Sequence, residues 1–367
     1  MKEIIITVLS ITGISTVLAV LIIIAEKFLN NYGECEIDIN DGDKNLRVEG
    51  GSSLLSSLAA NKIFIPSACG GKATCGLCKV RVLEGAGPLL PTEEPYLSKD
   101  ERNDGVRLSC QVKVKGNLRV YIPEELFNIR EYVATVTNIK DMTHDIKEFR
   151  FEFKAGEDIK FKAGQYMQIE TKPYDKVKEK AIRAYSISSA PSDNKAVELI
   201  IRRVPGGLCT TYMHDHIKVG DEVRMTGPYG DFYMRDDSDD YVFMAGGSGM
   251  APIKSLVMDI MERNLDKKMI FIFGAVSKKD LYHTEFFREI ERQNSNFRYV
   301  PALSRPEPDD NWNGETGLVT EVLKRYVDSG KGKHAYLCGS PGMINACVNV
   351  LVGSEFDEAK IYYDKFS

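Results

Sequence analysis

A ten-residue loop rich in cysteine and glycine constrains this chain more than any other part of its sequence. The loop, CGGKATCGLC, begins at Cys69, and with one later cysteine it gives the spacing Cys69-x5-Cys75-x2-Cys78-x31-Cys110. The chain has eight cysteines, and the other four are scattered: Cys35, Cys209, Cys338 and Cys347. This uneven distribution favours a metal site over a disulfide framework. Cys35 has no partner at a comparable spacing and is expected to be a free thiol.

Three ligands on a loop and a distant fourth follow the plant-type ferredoxin layout, although the first gap is one residue longer here. Four thiolates can hold two irons and two bridging sulfides. The loop must turn its N–H groups toward sulfur, which favours residues that tolerate positive φ, and Gly70, Gly71 and Gly76 supply them. The alternatives are free thiols or a structural zinc site, which usually shows two CxxC pairs where this chain has one. We predict a 2Fe–2S cluster on these four cysteines.

The N-terminus carries an apolar segment, IIITVLSITGISTVLAVLIIIA, which runs from Ile4 to Ala25 without a charge. It is long enough to cross the hydrocarbon core of a membrane as a helix. A signal peptide or a buried helix would be the alternatives, but the segment lacks a basic n-region and a convincing cleavage site. We expect an uncleaved single-pass anchor followed by a soluble body.

The rest of the chain divides by its patterns into three parts. Residues 32–128 show short strands and one helix around the cysteine loop, and residues 129–236 show alternating strands typical of an antiparallel barrel. Residues 237–367 alternate strands with helices, which indicates a parallel sheet covered on both faces. With the anchor and connector at 1–31, four segments are predicted. The net charge of -5 argues against nucleic-acid binding.

Two motifs of the second segment suggest a flavin. Arg183 and Tyr185 share one face of a predicted strand, so a tyrosine ring could stack on an isoalloxazine while the arginine binds pyrophosphate and Ser186 bonds to N5. An ordinary exposed strand is the alternative. After the strand that ends near Arg202, a glycine turn with hydroxyls at a helix start could bind an anion or could only cap a helix. Its candidate residues are Arg202, Gly207, Cys209, Thr210 and Thr211.

Two strand-to-helix corners of the third segment suggest a nucleotide. The first, GGSGMAP, allows close backbone approach at a helix N-terminus, although it is not a strict GxGxxG. Its candidate residues are Gly246, Gly247, Gly249, Met250, Ala251 and Pro252. The second corner holds Cys338 and Gly339 at a carboxyl strand end, where ligands bind in such sheets. Cys338 could be only a small buried residue, but its position favours a role beside the nicotinamide.

Along the chain, the cluster loop is followed by RAYS, GGSGMAP and CGSPGM. These motifs in this order resemble those of the ferredoxin-NAD(P)+ reductase superfamily, in the version with an N-terminal 2Fe–2S domain. With an anchor in front, the chain is similar to the family of F components of sodium-translocating NADH:quinone oxidoreductases over essentially its whole length. The resemblance implies a ferredoxin-like α+β (β-grasp) domain, an antiparallel β-barrel with FAD and a Rossmann-like α/β domain with NADH. It also implies hydride transfer from NADH to FAD and single-electron transfer to the cluster.

The same resemblance implies partners in or beside the inner (cytoplasmic) membrane, with quinone as the indirect acceptor, sodium transport, and catalytic domains that face the cytoplasm. Two other functions stay open: the reductase component of an oxygenase, and a non-enzymatic membrane-tethered iron–sulfur carrier. In oxygenase reductases the gap between the first two cluster cysteines is usually one residue shorter than in this chain, and this counts against the first function. The flavin and nucleotide motifs count against the second.

Two further expectations concern the nicotinamide dinucleotide. Ser304 and Arg305 could bind a 2′-phosphate, but the acidic residues that follow, Glu307, Asp309 and Asp310, would oppose it, so NADH is favoured over NADPH. The final strand, IYYDKF, ends at Phe366. In the superfamily an aromatic residue there commonly covers the flavin face that the nicotinamide must reach, so Phe366 is expected to act as a lid. A core residue is the alternative.

Overall fold

The computed structural model describes residues 11–20, 32–175, 177–238 and 240–366. The chain forms two compact units, Met1–Ile129 and Arg130–Ser367, each with hydrophobic clusters of its own.

Most of the predicted anchor, Ile4 to Ala25, lies outside the described residues. The part that is described, residues 11–20, is helical and exposed. Within the described ranges, no helix is long and apolar enough to cross a membrane.

The first unit has a five-stranded mixed sheet in the order β2-β1-β5-β3-β4. Its elements are β1 (Glu34–Ile39), β2 (Lys44–Glu49), α1 (Leu54–Ala60), β3 (Lys79–Glu84), a 3-10 turn (Glu94–Tyr96), α2 (Lys99–Asn103), β4 (Val106–Leu108), β5 (Leu118–Tyr121) and a second 3-10 turn (Glu124–Asn128). β1 runs parallel to β5, and the other pairs are antiparallel. The predicted α+β domain is therefore present.

Alternation decides which face of this sheet is buried. In β1 the side chains of Cys35, Ile37 and Ile39 are buried while Glu34 and Glu36 are exposed, as expected for a sheet with one covered face. The helix α1 covers the buried face, and the Ser53 hydroxyl caps its first turn. Cys35 is a free thiol in this core.

The second unit begins with a six-stranded antiparallel sheet in the order β10-β7-β6-β11-β8-β9. Its elements are β6 (Arg130–Asp141), β7 (Ile146–Glu152), β8 (Tyr166–Glu170), β9 (Ile182–Ser186), β10 (Ala196–Arg202), α3 (Leu208–Thr211), a π-helical turn (Tyr212–His216) and β11 (Glu222–Tyr229). A single bridge between Ile187 and Leu199 joins the two edge strands. The sheet is thus a nearly closed barrel, as predicted.

The same unit continues with a six-stranded parallel sheet in the order β15-β14-β13-β12-β16-β17. Its strands are β12 (Asp240–Gly246), β13 (Lys268–Ala275), β14 (Phe297–Leu303), β15 (Glu315–Thr316), β16 (Lys333–Gly339) and β17 (Ile361–Lys365). Its α-helices are α4 (Met250–Glu262), α5 (Thr284–Gln293), α6 (Val319–Tyr326) and α7 (Pro341–Gly353), and 3-10 turns lie at Gly247–Gly249, Lys278–Asp280, Pro308–Asp310 and Glu358–Lys360. The strand order reverses between β12 and β16, which is where doubly wound sheets bind ligands.

Candidate active site

The four predicted cluster ligands lie in two close pairs. The Cys75 thiol donates to Cys69 Sγ at 3.4 Å, and Cys78 lies beside Cys110 within hydrogen-bonding reach. All four are free thiols. In the described part of the chain, no group of three or more His, Cys, Asp or Glu side chains is placed to hold one metal ion. Two pairs fit a 2Fe–2S cluster, in which each iron takes two thiolates.

The environment favours ionisation of one thiol in each pair, Cys69 and Cys110, whereas the pKa values of Cys75 and Cys78 are raised. Burial would raise the pKa of Cys69, but hydrogen bonds from the Thr74 backbone and the Cys75 thiol outweigh it and lower the pKa to about 7. A hydrogen bond from Cys78 lowers the pKa of Cys110 to about 6, and the same bond raises the pKa of Cys78. Thiolates are the form that binds metal.

Close packing holds the ligand loop in shape. Gly76 has a φ of 68°, and a Cβ at this position would lie 2.6 Å from the Tyr96 ring, so only glycine fits. Tyr96 ends a short turn that follows Glu93. The Glu93 carboxylate is fully buried and binds the Arg107 guanidinium at 2.6 Å. Because Arg107 lies three residues before Cys110, this buried ion pair anchors the backbone next to the distant ligand.

On the barrel, the register of β9 confirms that Arg183 and Tyr185 share a face, since they lie opposite Ile169 and Met167. Burial raises the pKa of Tyr185 well above its ordinary range. The Tyr185 hydroxyl is buried without a nitrogen or oxygen partner among the described residues, and the weakly accepting Cys209 thiol lies beside it. A buried hydroxyl with so weak a partner is costly, so it fits a ligand group such as that of a bound flavin.

The glycine turn after Arg202 is tightly closed on itself. The Thr210 hydroxyl accepts from the Val204 N–H at 3.2 Å and donates to the Gly207 carbonyl at 3.2 Å. This hydroxyl is therefore committed to the loop, whereas the Thr211 side chain is half-buried. Cys209 is buried near Tyr185, and burial raises the pKa of its thiol to about 11.

The two predicted strand-to-helix corners lie side by side. β12 and β16 are parallel neighbours with Ala245 opposite Cys338. A Cβ on Gly249 would overlap the Cys338 carbonyl, and a Cβ on Gly246 would lie 2.9 Å from Met343 Sδ. Gly247 has a φ of 56°. The absence of side chains at this corner leaves Gly247 half-buried before the amino end of α4, whereas Met250, Ala251 and Pro252 of its first turn are buried.

A cleft of about 950 Å³ opens at the carboxyl ends of β12, β13 and β14. Its lining includes both sequence-predicted residues and others that no motif indicated. The predicted ones are Arg202, Gly247, Ser304 and Arg305, and Met343 belongs to the CGSPGM motif. The others include Thr143, His144, Asp145, Lys279 and Asp280. Arg202 reaches in from the barrel, and its Nε donates to Asp145 Oδ2 at 2.7 Å. The volume is within the range of small-molecule sites.

The part of this cleft that follows β14 has paired and unpaired charges. Lys279 Nζ binds Glu307 Oε1 at 2.7 Å, and Asp310 Oδ2 accepts from the Lys278 and Glu307 N–H groups. Arg305 is exposed and forms no ion pair with the acidic side chains that the structure describes. The acidic residues that were expected to oppose a 2′-phosphate are thus partly neutralised, and the arginine is not.

Asp364 joins the predicted catalytic residues and was missed by the sequence analysis. Its Oδ2 lies 3.5 Å from the Ser186 hydroxyl, and the Phe366 N–H donates to the Gly339 carbonyl at 2.9 Å. Burial raises the pKa of Asp364 to about 6. Burial and the nearby Asp364 charge raise the pKa of Cys338 well above its ordinary value. Ser186, Cys338 and the end of β17 are therefore brought together, which only the pairing of β16 with β17 could reveal.

Domain comparisons agree with the order of these sites. Residues 37–115 match a 2Fe–2S iron–sulfur cluster binding domain. Residues 133–233 match an oxidoreductase FAD-binding domain, and residues 243–349 match an oxidoreductase NAD-binding domain.

Whole-chain comparisons extend over the full length. The F component of the Na(+)-translocating NADH-quinone reductase of Idiomarina loihiensis is 37% identical with 100% of both chains covered, and that of Methylococcus capsulatus is 36% identical with the same coverage. Among solved structures, the Amycolatopsis cytochrome P450 reductase GcoB is 29% identical with a TM-score of 0.73 and covers 90% of this chain and 98% of its own.

Fold and site together define a three-module flavoprotein oxidoreductase that binds FAD, NADH and a 2Fe–2S cluster. Electrons pass from NADH to FAD and on to the cluster. The chain belongs to the family of F components of the Na(+)-translocating NADH-quinone reductase.

Replacing one cluster ligand tests the thiol pairs. We expect Cys75→Ser to lose the visible and paramagnetic spectrum of the 2Fe–2S cluster, because one iron loses half of its thiolates, while NADH still reduces the flavin in the other unit. Cys35→Ala is the matched control, since Cys35 is a buried free thiol of the same core. An intact cluster spectrum in Cys75→Ser, or loss of flavin reduction in a folded variant, would contradict this assignment.

The elevated pKa of Asp364 predicts a pH-dependent stability. A carboxyl whose pKa is about 6 in the folded chain, against the ordinary 3.8, destabilises the fold as pH rises from about 4 to 6. Asp364→Asn removes this cost, so its free energy of unfolding should exceed that of the wild type by up to about 3 kcal/mol above pH 6 and by little at pH 4. Denaturant unfolding followed by the fluorescence of Trp312, the one tryptophan, measures it. The exposed Asp328→Asn is the control, and an equal gain at both pH values would disprove the pKa shift.

Proposed function

We propose that this chain is the membrane-anchored, NADH-oxidising subunit of a quinone reductase complex. The full-length likeness to the F components of NADH-quinone reductases carries the proposal. The thiol pairs of the first unit and the flavin and nucleotide sites of the second unit support it. By analogy with those relatives, quinone is the final acceptor, sodium translocation is coupled to the reaction, and other membrane subunits are the partners. The catalytic domains face the cytoplasm, where NADH is available.

On the flavin side, we assign the positioning of the ring to β9. Tyr185 would stack on the isoalloxazine, Ser186 would bond to N5 and Arg183 would bind the pyrophosphate, because a guanidinium suits phosphate oxygens. Gly207, Cys209 and Thr211 would border the same ligand. Thr210 would act through the loop that its hydroxyl closes.

On the nucleotide side, we assign the nicotinamide position to the paired corners. The backbone of Gly247 and Gly249 at the amino end of α4 would receive the phosphates. Met250, Ala251 and Pro252 would hold that end of the helix from its buried side. Cys338 and Gly339 would border the nicotinamide next to Ser186. Phe366 would cover the flavin face until the nicotinamide arrives, since two rings cannot occupy one face, and its packing at the edge of the core fits a partly buried ring.

The chain organisation is part of the proposal. Residues 1–31 would form the anchor and connector, 32–128 the cluster domain, 129–236 the FAD barrel and 237–367 the NADH domain. The uncharged run from Ile4 to Ala25 supports a single inner-membrane crossing on length alone.

An oxygenase reductase is the second candidate. The likeness to the P450 reductase GcoB favours it, since that structure covers nearly the same modules. The apolar segment Ile4 to Ala25 and the full-length likeness to the NADH-quinone reductase relatives favour the quinone reductase. The two candidates differ in the partner that accepts electrons from the cluster.

Removing the anchor tests the proposal. We expect a chain without residues 1–27 to be soluble and to reduce ferricyanide with NADH at the rate of the full chain. It should no longer support NADH:quinone reductase activity in native membranes, because the cluster is no longer held near its partner. Membrane fractionation and both assays measure this. A truncated chain that stays in the membrane pellet, or one that restores full quinone reduction, would contradict the proposal.

The likeness to NADH-quinone reductases predicts the preferred nucleotide, although the unpaired charge of Arg305 would itself favour a 2′-phosphate. We expect a higher kcat/KM with NADH than with NADPH. Arg305→Ala should lower kcat/KM with NADPH about ten-fold and with NADH less than about two-fold, since only NADPH carries the 2′-phosphate. Glu307→Gln, which removes one opposing charge, should raise use of NADPH by about three- to ten-fold. A wild-type preference for NADPH would overturn this prediction.

A further inference from the structure

A buried lysine lies where the barrel meets the α/β part of the second unit. Lys254 occupies the first half of α4, five residues after Gly249, and it is only 5% exposed. Its Nζ lies 2.9 Å from Glu148 Oε1 and 2.9 Å from Glu198 Oε2. Lysine is almost never buried to this extent unless it is paired. The nucleotide chemistry described above does not use this group.

Both carboxylates come from the barrel. Glu148 lies on β7 and Glu198 on the neighbouring β10, in a register that places Ile200 opposite Glu148. The apolar side chains of the same region, Ile146 and Ile200, belong to the core cluster that includes α4. One face of two barrel strands therefore packs directly on the helix, and Lys254 supplies its ionic contact.

Glu148 also connects to the glycine turn by a second route. His283 Nε2 lies 3.0 Å from Glu148 Oε1, and the adjacent Tyr282 donates from its hydroxyl to the Gly247 carbonyl at 2.7 Å. Burial would raise the pKa of Glu148, but His283 and the Lys254 charge hold it at about 2. The ionised Glu148 carboxylate thus contacts α4, which begins at the glycine turn. It also contacts His283, whose neighbour Tyr282 binds that turn.

A hydrogen bond between neutral groups also connects α4 to the barrel. The buried Ser255 hydroxyl donates to the Ser189 carbonyl at 2.7 Å, and Ser189 follows Ser186 by three residues. The helix that begins at the nucleotide turn is therefore joined to the strand region that carries the flavin motif.

We propose that Lys254, through Glu148 and Glu198, is a positioning residue that sets the alignment of the nicotinamide with the flavin. This inference rests on the proposed roles of the glycine turn and of β9. An ionic bridge from one helix to two strands fixes the direction of the helix as well as its distance. Hydride transfer depends steeply on both, and a misplacement of about 1 Å can cost about 100-fold in rate.

The test must separate alignment from stability. Removing one partner of a buried ion pair leaves an unpaired charge and destabilises strongly, whereas replacing all partners by neutral groups of similar volume is often tolerated. The main variant is therefore the triple change Lys254→Met, Glu148→Gln and Glu198→Gln in the full chain. Arg263→Met is the control, since Arg263 ends the same helix with an exposed ion pair to Asp236.

The triple variant should bind FAD at wild-type stoichiometry. At saturating NADH, single-turnover flavin reduction should be slower by about 10- to 100-fold per bound flavin, with a smaller change in the half-saturating NADH concentration. Without nucleotide, amide hydrogen exchange over residues 246–253 should be faster than in the wild type. Arg263→Met should resemble the wild type in both measurements.

Three results would overturn the proposal. They are a limiting rate within about two-fold of the wild type, unchanged amide exchange at the turn, or equal slowing in Arg263→Met. If the triple variant does not fold, the single variant Glu198→Gln decides, because it leaves the contact of Lys254 with Glu148 in place. Flavin reduction slower by about three- to ten-fold supports the ionic bridge, and an unchanged rate refutes it. Wild-type flavin that NADH does not reduce would instead refute the proposed function, and no quinone or membrane partner enters this test.

Discussion

The nucleotide site depends on the close approach of two backbone corners. Gly249 lies so near the Cys338 carbonyl that no side chain fits between them, and this brings the two carboxyl strand ends together. The parallel pairing of β12 with β16 fixes the register of that approach. The glycine turn, Cys338 and the end of β17, which pairs with β16, thus lie along neighbouring strand ends. A bulky residue at Gly249 would separate all of them.

In the cluster unit, a buried ion pair holds the loops around the cysteines. Its sheet is small, and part of its loop structure is held by the fully buried pair of Glu93 and Arg107. The Arg107 guanidinium also donates to the Gly87 and Pro88 carbonyls, so its charge is well satisfied. The loops beside the cysteines therefore keep their shape through specific polar contacts as much as through apolar packing.

The sequence could predict those sites whose chemistry requires fixed residue types at fixed spacing. The four cluster cysteines, the glycine turn before α4 and the shared face of Arg183 and Tyr185 are of this kind. Strong periodicity likewise predicted most of the strands and helices. Four short or irregular elements, β4, β11, β15 and α2, were not predicted. Three of them have five residues or fewer, and Pro228 interrupts the alternation of Glu222–Tyr229.

Residues that act through tertiary contact had no local pattern. Asp364 reaches Ser186 from a strand 178 residues later, and Lys254 meets Glu148 across 106 residues. Thr210 shows the converse, because its hydroxyl looked available in sequence but closes its own loop.

The central claim is that NADH reduces the cluster through the flavin. Freeze-quench paramagnetic resonance of the full chain after mixing with NADH tests it most directly: the signal of a reduced 2Fe–2S cluster should appear with FAD bound and vanish when FAD is removed. A cluster that NADH reduces equally well without FAD, or not at all with it, would contradict the account.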